Sequence, residues 1–477
     1  MNLVFIWIGL ADAAAIRRFF AGWGSKGSGV KVSPTPAEIS PEFSSVCPLI
    51  YLEFVREVAA VAELGFVTAS KYMLSSSRLK MGKMGEISLG KHVASTSSVS
   101  VYFAGRDSAQ NLVVKHMNDC VERVLSRVIQ NKPLNPSLFQ ISSWQRNSDP
   151  TLLTAEFALS RVLRDTGLVP SVVWASGLVP FNAKNEFGFG LTRERASICA
   201  KLGTTVRTIV EIRHGPTVRE ILHSRSEKAS EGDKQMEFLR EVILVAKKTL
   251  GLLEPLHAAG FIHGDIHDKN VALEDRNAGL EDDSVVDKKL ILIDLGLGAI
   301  VCGDSAALRS PDSVSYTLAS PWQLTGLRGY RDDVFRVLEM MARQMSFGEL
   351  EMVEKRLEER VQSETINFVP VLRLSEFRRE FSAFKKSFNF FSHSSTTHPY
   401  YCFEKYDSLS ELALDFLEAQ LGCLWRYMQS VPSHDSRIDY RLFERRLDTL
   451  LSLGETIPDD QDDQECVWKK SPLTHSN

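Results

Sequence analysis

The sequence predicts an α+β fold in which short strands precede a series of long helices. The strand prediction rests on three short segments rich in β-branched and aromatic residues, 86–90, 99–104 and 112–115. The helix prediction rests on apolar residues at helical spacing in three longer segments, 238–257, 409–428 and 440–453. Ser408 and Glu411 form the capping-box pattern that is predicted to open the second of these helices.

Composition and charge narrow the class of protein. The chain has 477 residues, of which 44% are hydrophobic and 24% are charged, enough to bury one large core or two smaller ones. Its formal net charge of −4 argues against a general nucleic-acid binder. The 7 cysteines are scattered without the spacing of metal ligands, so we expect reduced, buried thiols in an intracellular compartment.

Both ends of the chain are predicted to lie outside the main folded region. The apolar segment 3–10 is too short to span a bilayer, but small residues follow it as they follow a signal-peptide core. A cleaved signal, a hydrophobic anchor and a mis-assigned start all stay open. We therefore assign 1–41 to a flexible or targeting segment, 42–85 to a helical N-terminal extension and 454–477 to an acidic, disordered tail.

One polar motif carries the chemistry. Residues 263–270 read HGDIHDKN, and an apolar run at 290–293 is followed directly by the sequence D-L-G. A transferring phosphoryl group carries spread negative charge, so its catalysis needs a carboxylate as base and further oxygen ligands for metal ions. We expect Asp265 to take the proton of the acceptor hydroxyl, and Asn270 and Asp294 to bind Mg²⁺.

Several segments resemble the eukaryotic protein kinases, and in particular the casein kinase I and vaccinia-related kinase group. Four short motifs carry this resemblance: 215–217 (GPT), 316–320 (YTLAS), 330–334 (YRDDV) and 437–440 (RIDY). The acidic insertion at 274–289 also resembles that of the Bub spindle-checkpoint kinase. The resemblance covers residues 87 to 453 and implies a two-lobed protein-kinase-like fold. A small β-rich N-lobe would span 86–212, and a larger α-helical C-lobe would span 213–453.

The resemblance also assigns residues to the handling of ATP. Lys115, at the end of a predicted strand, would contact the α and β phosphates and pair with Glu156 of the following helix. Asp333 would anchor the catalytic loop from the helix below it. A charged residue taken alone would be interpreted as an exposed surface residue. The roles given to these residues therefore depend on the order of the segments around them.

The adenine and phosphate contacts are assigned by the same resemblance. Val101 lies on the strand expected to cover the adenine, and Ala94 lies in the expected phosphate loop. Glu211 and Ile212 lead into 213–217, the predicted hinge whose backbone would meet the base. All four are therefore expected to line a nucleotide site.

Three departures from the family pattern affect the expected enzyme. Two of them lower its expected activity, and the third concerns its regulation. Ala94, Thr96 and Val99 stand where three glycines of the phosphate loop belong, and their side chains hinder close approach of the backbone to phosphate. His267 replaces a lysine that steadies the γ-phosphate, and a histidine carries less than a full positive charge at neutral pH. Gly264 replaces an arginine that reads a phosphorylated activation loop, so the resemblance implies no need for that phosphorylation.

These observations predict an ATP-dependent protein kinase that phosphorylates Ser or Thr with Mg²⁺, weak if the altered phosphate loop limits it. Two alternatives stay open. The pattern H-G-D-x-H-x-x-N also resembles aminoglycoside and choline phosphotransferases, and a pseudokinase that only binds partners would keep the same fold. Expected partners are a protein substrate and nucleotide, with no nucleic acid. The expected location is cytoplasmic or nuclear, with secretion or membrane association through the N-terminal apolar segment as the alternative.

Overall fold

A computed structural model describes the parts of the chain that carry most of the predicted site. The described residues are 73–75, 78–80, 86–95, 99–105, 111–118, 163, 166–175, 179–180, 197, 205–227, 229, 234–258, 261–275, 285–302, 305–306, 320–324, 329–346, 382, 406, 409–431 and 437–452. The predicted segment 1–41, the tail 454–477 and Glu156 lie outside them.

The strands that precede residue 213 form one antiparallel sheet. Its order is β1-β2-β3-β4-β5-β8-β6, with β7 paired to β8. The strands are β1 (Met73–Ser75), β2 (Arg78–Lys80), β3 (Glu86–Ser95), β4 (Val99–Gly105), β5 (Leu112–Asn118), β6 (Val172–Ala175), β7 (Val179–Pro180) and β8 (Thr205–Ile212). The β1–β2 pair lies within 42–85, so the sheet begins inside the span predicted to be a helical extension.

The pairing of β4, β5 and β8 separates the side chains onto two faces. On one face Ile87, Ala104, Val114 and Val210 form a buried hydrophobic cluster. Because side chains alternate along a strand, Lys115 lies on the opposite face. The register places Lys115 beside Ile209 and Val101, so Val101 and Glu211 share the face of Lys115, whereas Ile212 lies on the other face.

The second half of the described chain is mainly helical. The helices are α1 (Val218–Ser226), α2 (Lys234–Ala258), α3 (Pro321–Leu324), α4 (Tyr330–Met345), α5 (Glu411–Ser430) and α6 (Tyr440–Leu451). The cap of α5 is Ser410, whose hydroxyl accepts the hydrogen bond from the Ala413 amide, and Ser408 of the predicted capping box lies outside the described residues. Helix α1 begins with a capping box in which Thr217 and Glu220 bond each other's backbone.

Helix α4 is the buried centre of the helical half. Its apolar residues, among them Val334, Phe335, Leu338 and Met341, are almost completely buried. They join one hydrophobic cluster with residues of α2, α5 and α6. A helix that is buried all round must also pair any charges that it carries, which matters for the site described below.

Five short strands hold the predicted catalytic segments. They are β9 (Phe261–Ile262), β10 (Val271–Leu273), β11 (Leu290–Leu292), β12 (Ala299–Cys302) and β13 (Ser305–Ala306). β10 and β11 form an antiparallel pair, and β12 pairs with both β9 and β13. Lys248 of α2 binds the end of the acidic insertion, where its Nζ donates to the carbonyls of Val285 (2.6 Å) and Lys288 (2.7 Å).

The α+β class is confirmed by these elements, whereas the two-lobed layout stays a prediction. Cys423 is disulfide-bonded, so the expectation that the cysteines are reduced thiols is wrong for this residue. Its sequence context is a helix, which offers no pattern from which a disulfide is predicted. Within the described part of the chain, no helix combines the length and the apolar content needed to cross a membrane.

A substitution at Gly215 tests how tightly the segment after β8 packs. A Cβ atom at Gly215 would lie 2.1 Å from the Asp275 carbonyl oxygen and 3.1 Å from the Leu273 Cβ. We expect Gly215→Ala to lower the free energy of unfolding by about 1–3 kcal/mol, as overpacking does. Gly251→Ala is the control, because a Cβ there meets nothing within 4 Å. In a helix interior it should stabilise by roughly 0.5–1 kcal/mol. Chemical denaturation measures both, and a Gly215→Ala variant as stable as wild type would contradict the packing.

Candidate active site

The segment 263–270 forms a loop between β9 and β10, and a buried carboxylate holds its first residues. Asp333 of α4 accepts a hydrogen bond from the His263 amide at 2.6 Å and from the Gly264 amide at 2.7 Å, one on each oxygen. The His257 ring of α2 lies 3.0 Å from the same carboxylate. Asp333 is only 1% exposed, so these partners replace the water that its charge has lost. The start of the loop is therefore tied to two helices.

Gly264 has a backbone conformation that suits glycine. Its φ is 78°, in the left-handed region where a side chain would cost about 1–2 kcal/mol. The absence of a side chain at this position thus has a local structural basis as well as the functional one predicted from sequence. The loop turns here without strain, directly before Asp265.

His263 links the loop to the segment that carries Asp294. Its fully buried ring lies with Nε2 3.0 Å from the Ile293 carbonyl oxygen, and its Nδ1 accepts from the Asp265 amide at 3.3 Å. This pair of contacts requires the ring proton on Nε2, because a carbonyl only accepts and an amide only donates. The ring therefore holds two chain segments together and is not available to substrate.

Asp265 is an ionised carboxylate among hydrogen-bond donors. Asn270 Nδ2 donates to the Asp265 carbonyl oxygen (3.0 Å) and to its Oδ2 (3.2 Å), and His267 Nε2 lies 3.6 Å from the same Oδ2. Burial by itself would raise the pKa of Asp265. The charge and hydrogen bond of His267, with the charge of Arg336, outweigh burial and lower this pKa below its usual value. A charged, 18% exposed carboxylate can accept a proton from a bound hydroxyl.

Asn270 and Asp294 lie next to each other across the β10–β11 pair. Asn270 precedes β10, Asp294 follows β11, and the Ile293 amide donates to the Asn270 carbonyl at 3.0 Å. Because Asn270 Nδ2 points to Asp265, its Oδ1 is the atom left for a cation. An amide oxygen and a carboxylate are ligands that Mg²⁺ accepts, usually together with substrate phosphates. The residues present therefore fit a magnesium ion.

Asp294 has a strained backbone, which is a further mark of a functional position. It is the one residue other than glycine with a positive φ (61°) among the described residues. Its exposed carboxylate does not cap the short 3₁₀ helix Leu295–Leu297 that follows. Strain of this kind costs of order 1–3 kcal/mol and is kept where a site requires it. No group of three or more His, Cys, Asp or Glu side chains able to hold a metal occurs in the described ranges, so magnesium would depend on phosphate ligands.

A buried ion pair beneath the loop was not predicted from sequence. Arg336 of α4 pairs with Glu339, and its Nε donates to the Ile266 carbonyl at 3.1 Å. Arg343 lies 3.4 Å from the same glutamate. Arg336 and Glu339 are almost fully buried. The sequence did contain one sign of this pair, because Arg336 and Glu339 are opposite charges three residues apart within a run of apolar residues.

Lys115 pairs with a residue from its own sheet. Its Nζ lies 3.1 Å from Glu211 Oε1, with side-chain exposures of 12% and 4%. The register pairs Val113 with Glu211 and Lys115 with Ile209, so the two charges are diagonal neighbours on one face. The sequence placed Glu211 in the hinge, and the structure additionally brings its side chain to the lysine.

The remaining predicted nucleotide residues lie around this pair. Val101 of β4 is the direct cross-strand partner of Lys115, and Ala94 of β3 pairs with Val101. Ile212 ends β8 and is 45% exposed. Glu156, the predicted partner of Lys115, lies outside the described residues. Five of the predicted residues, Lys115, Glu211, Val101, Ala94 and Ile212, thus occupy neighbouring strands of the sheet.

The segment after β8 connects this region to the catalytic loop through backbone contacts. The Gly215 amide donates to the Leu273 carbonyl (2.8 Å), and the Leu273 amide donates to Pro216 (2.9 Å). Leu273 belongs to β10, which starts directly after Asn270. The Arg213 guanidinium lies 4.0 Å from the ring centre of Phe103 on β4. Residues 213–217 therefore contact both the sheet and the strand that follows the loop.

Comparison with known proteins yields structural likenesses but no sequence match. No protein-family model and no curated protein sequence matches the chain. Its structure is similar to one described as "Structure of vaccinia related kinase 3", with 15% sequence identity and a TM-score of 0.41. The match covers 82% of this chain and 95% of that chain.

The coupling between Lys115 and Glu211 can be measured directly. Removing one member of a mostly buried ion pair leaves the other without its charge partner. We expect Lys115→Met and Glu211→Gln each to lower the free energy of unfolding by roughly 1–3 kcal/mol. The double variant should lose less than the sum, with a coupling of about 1–2 kcal/mol in a double-mutant cycle. Strict additivity would show that the two charges do not interact in solution.

Proposed function

We propose that the chain has a two-lobed protein-kinase-like fold and transfers the γ-phosphate of ATP to a Ser or Thr hydroxyl of a protein substrate. The observation that carries this proposal is the state of Asp265. It is an ionised carboxylate that accepts a hydrogen bond from Asn270, and the Asn270 carbonyl in turn accepts from the amide of Ile293, the residue before Asp294. A base beside two magnesium ligands is the arrangement that phosphoryl transfer requires.

In the proposal, the phosphates of ATP, Mg²⁺ and the acceptor hydroxyl each have a partner among the side chains of the site. In the proposal Lys115 compensates charge on the α and β phosphates, and His267 lies 3.6 Å from the base, where it would meet the γ-phosphate. Asn270 and Asp294 would hold Mg²⁺, which when bound neutralises phosphate charge. Asp265 would orient the acceptor hydroxyl and take its proton. The side chains of this chain thus supply positioning and a base, with ATP and Mg²⁺ as the implied cofactors.

Two features support a slow enzyme rather than a fast one. Glu211 adds a negative charge 3.1 Å from the lysine that would bind phosphate, so nucleotide must share or displace this contact. The sequence of the phosphate loop lacks the three glycines of the family. A pseudokinase would share both features, and the retained Asp265, Asn270 and Asp294 are what favours an enzyme.

A protein substrate is proposed over a small molecule because of the helices beneath the loop. The Y-R-D-D-V segment that carries Asp333 and the R-I-D-Y segment that carries Tyr440 resemble protein kinases, and both residues lie in one buried network. The H-G-D-x-H-x-x-N pattern alone does not separate the two substrate classes. An assay with both classes is therefore required.

The test is phosphotransfer by the full chain with Mg²⁺ and labelled ATP, against a panel of proteins and amino alcohols. Asp265→Asn should lower turnover by about 10²–10⁴-fold, the usual contribution of a general base, with little change in nucleotide affinity. Asp268→Asn is the matched control. Its carboxylate lies in the same loop but accepts from Gln344 of α4 at 2.8 Å, so turnover should stay within about threefold.

Three results would contradict the proposal in different ways. Transfer to amino alcohols but not to proteins would support the small-molecule alternative. Unchanged turnover in Asp265→Asn would remove this residue from the mechanism. Absence of transfer to every acceptor, with nucleotide bound, would support the pseudokinase alternative.

A further inference from the structure

We propose that Tyr440, in the last described helix, is a positioning residue of the catalytic loop and acts on it through His257 and Asp333. The inference rests on the proposed function for its catalytic consequence, but its structural part can be tested separately. None of the three residues lies in the loop itself. They belong to α6, α2 and α4, and so bring three helices to one point beneath the loop.

The contacts form an unbroken chain. The Tyr440 hydroxyl lies 2.5 Å from His257 Nδ1, although the two residues are 183 positions apart. His257 Nε2 lies 3.0 Å from Asp333 Oδ2. Asp333 then accepts from the amides of His263 and Gly264, which lead directly into Asp265. Every step is within hydrogen-bonding distance and joins residues that are at least partly buried.

The protonation of these groups determines which of them donates each hydrogen bond. Burial raises the pKa of Tyr440 well above its ordinary value, and the negative charge of Asp333 raises it further, so the hydroxyl keeps its proton. The carboxylate of Asp333 accepts here, so His257 donates to it from Nε2. In the neutral ring Nδ1 carries no proton and accepts from the Tyr440 hydroxyl. The tyrosine thus reinforces the ring form in which His257 donates to the carboxylate that holds the loop.

Packing confines the His257 ring to this position. Its side chain is 4% exposed, and the Tyr330 ring lies 4.8 Å from it at a tilt of 39°. The Tyr440 ring lies 5.9 Å from it. Without the Tyr440 hydroxyl, Nδ1 would lose this hydrogen bond. The ring would then be oriented less firmly toward Asp333, and Asp333 would be held less firmly.

The position of Tyr440 is set by the start of α6. Asp439 caps the helix by accepting from the Leu442 amide (3.1 Å), and the Asp439 amide donates to the Tyr427 hydroxyl of α5 (2.7 Å). Farther along α6, Asp448 pairs with Lys247 of α2. The tyrosine is therefore presented by a helix that is fastened at both ends. The last helix is in this way part of the support of the site.

The neighbouring tyrosine supplies a matched control. Tyr440→Phe and Tyr427→Phe each remove one buried hydroxyl that bonds near the start of α6, and each should cost similar stability. Only Tyr440→Phe breaks the chain to Asp333. We therefore compare the two full-length variants by hydrogen exchange of the His263 and Gly264 amides and by steady-state kinetics of phosphotransfer.

We expect Tyr440→Phe to speed exchange of these amides by about tenfold and Tyr427→Phe to leave them within about twofold of wild type. In phosphotransfer, Tyr440→Phe should lower kcat by about 3–10-fold with the KM for ATP nearly unchanged, because the loop positions the acceptor rather than the nucleotide. Equal exchange in wild type and Tyr440→Phe, or equal acceleration in both variants, would overturn the inference. If wild type transfers no phosphate, the proposed function fails, and the exchange rates still decide whether Tyr440 holds the loop.

Discussion

The rest of the site depends on one buried carboxylate, that of Asp333. It lies beneath the catalytic loop, is 1% exposed, and accepts hydrogen bonds from two loop amides. An isolated ionised carboxylate would be very costly in such a place, and the cost falls only when strong donors surround it. The requirement works in both directions. The donors stabilise the charge, and the charge determines where the loop that supplies them must run.

A second constraint is the separation of charge above and below this loop. Below it, Arg336 and Glu339 form a buried pair whose arginine also binds the Ile266 carbonyl. Above it lie the carboxylates of Asp265 and Asp294. Among the described residues, no lysine or arginine makes an ion pair with either of them. Like charges in one site repel each other and attract cations. The metal nucleotide proposed above would supply the positive charge that these carboxylates attract.

The fold and the site differ in how far the sequence predicts them. Asp265, Asn270 and Asp294 were identified because their spacing is local, and the α+β class follows from periodicity within single segments. The Lys115–Glu211 pair was missed because it depends on the register of β5 against β8, which no local pattern encodes. The cap of α5, Ser410, was missed for a simpler reason. Several serines compete for one cap, and only the helix geometry decides between them.

The central claim is that this loop holds a magnesium nucleotide. The most direct measurement is the melting temperature of the full chain with ATP, in the presence of Mg²⁺ and in the presence of a chelator. A ligand at 100 times its dissociation constant stabilises by about 2.7 kcal/mol, and for a chain of this size we expect a rise of roughly 2–5 °C. The rise should require Mg²⁺ and should be largely lost in Asp294→Asn. An unchanged melting temperature at millimolar Mg-ATP, or an equal rise without Mg²⁺, would contradict the account.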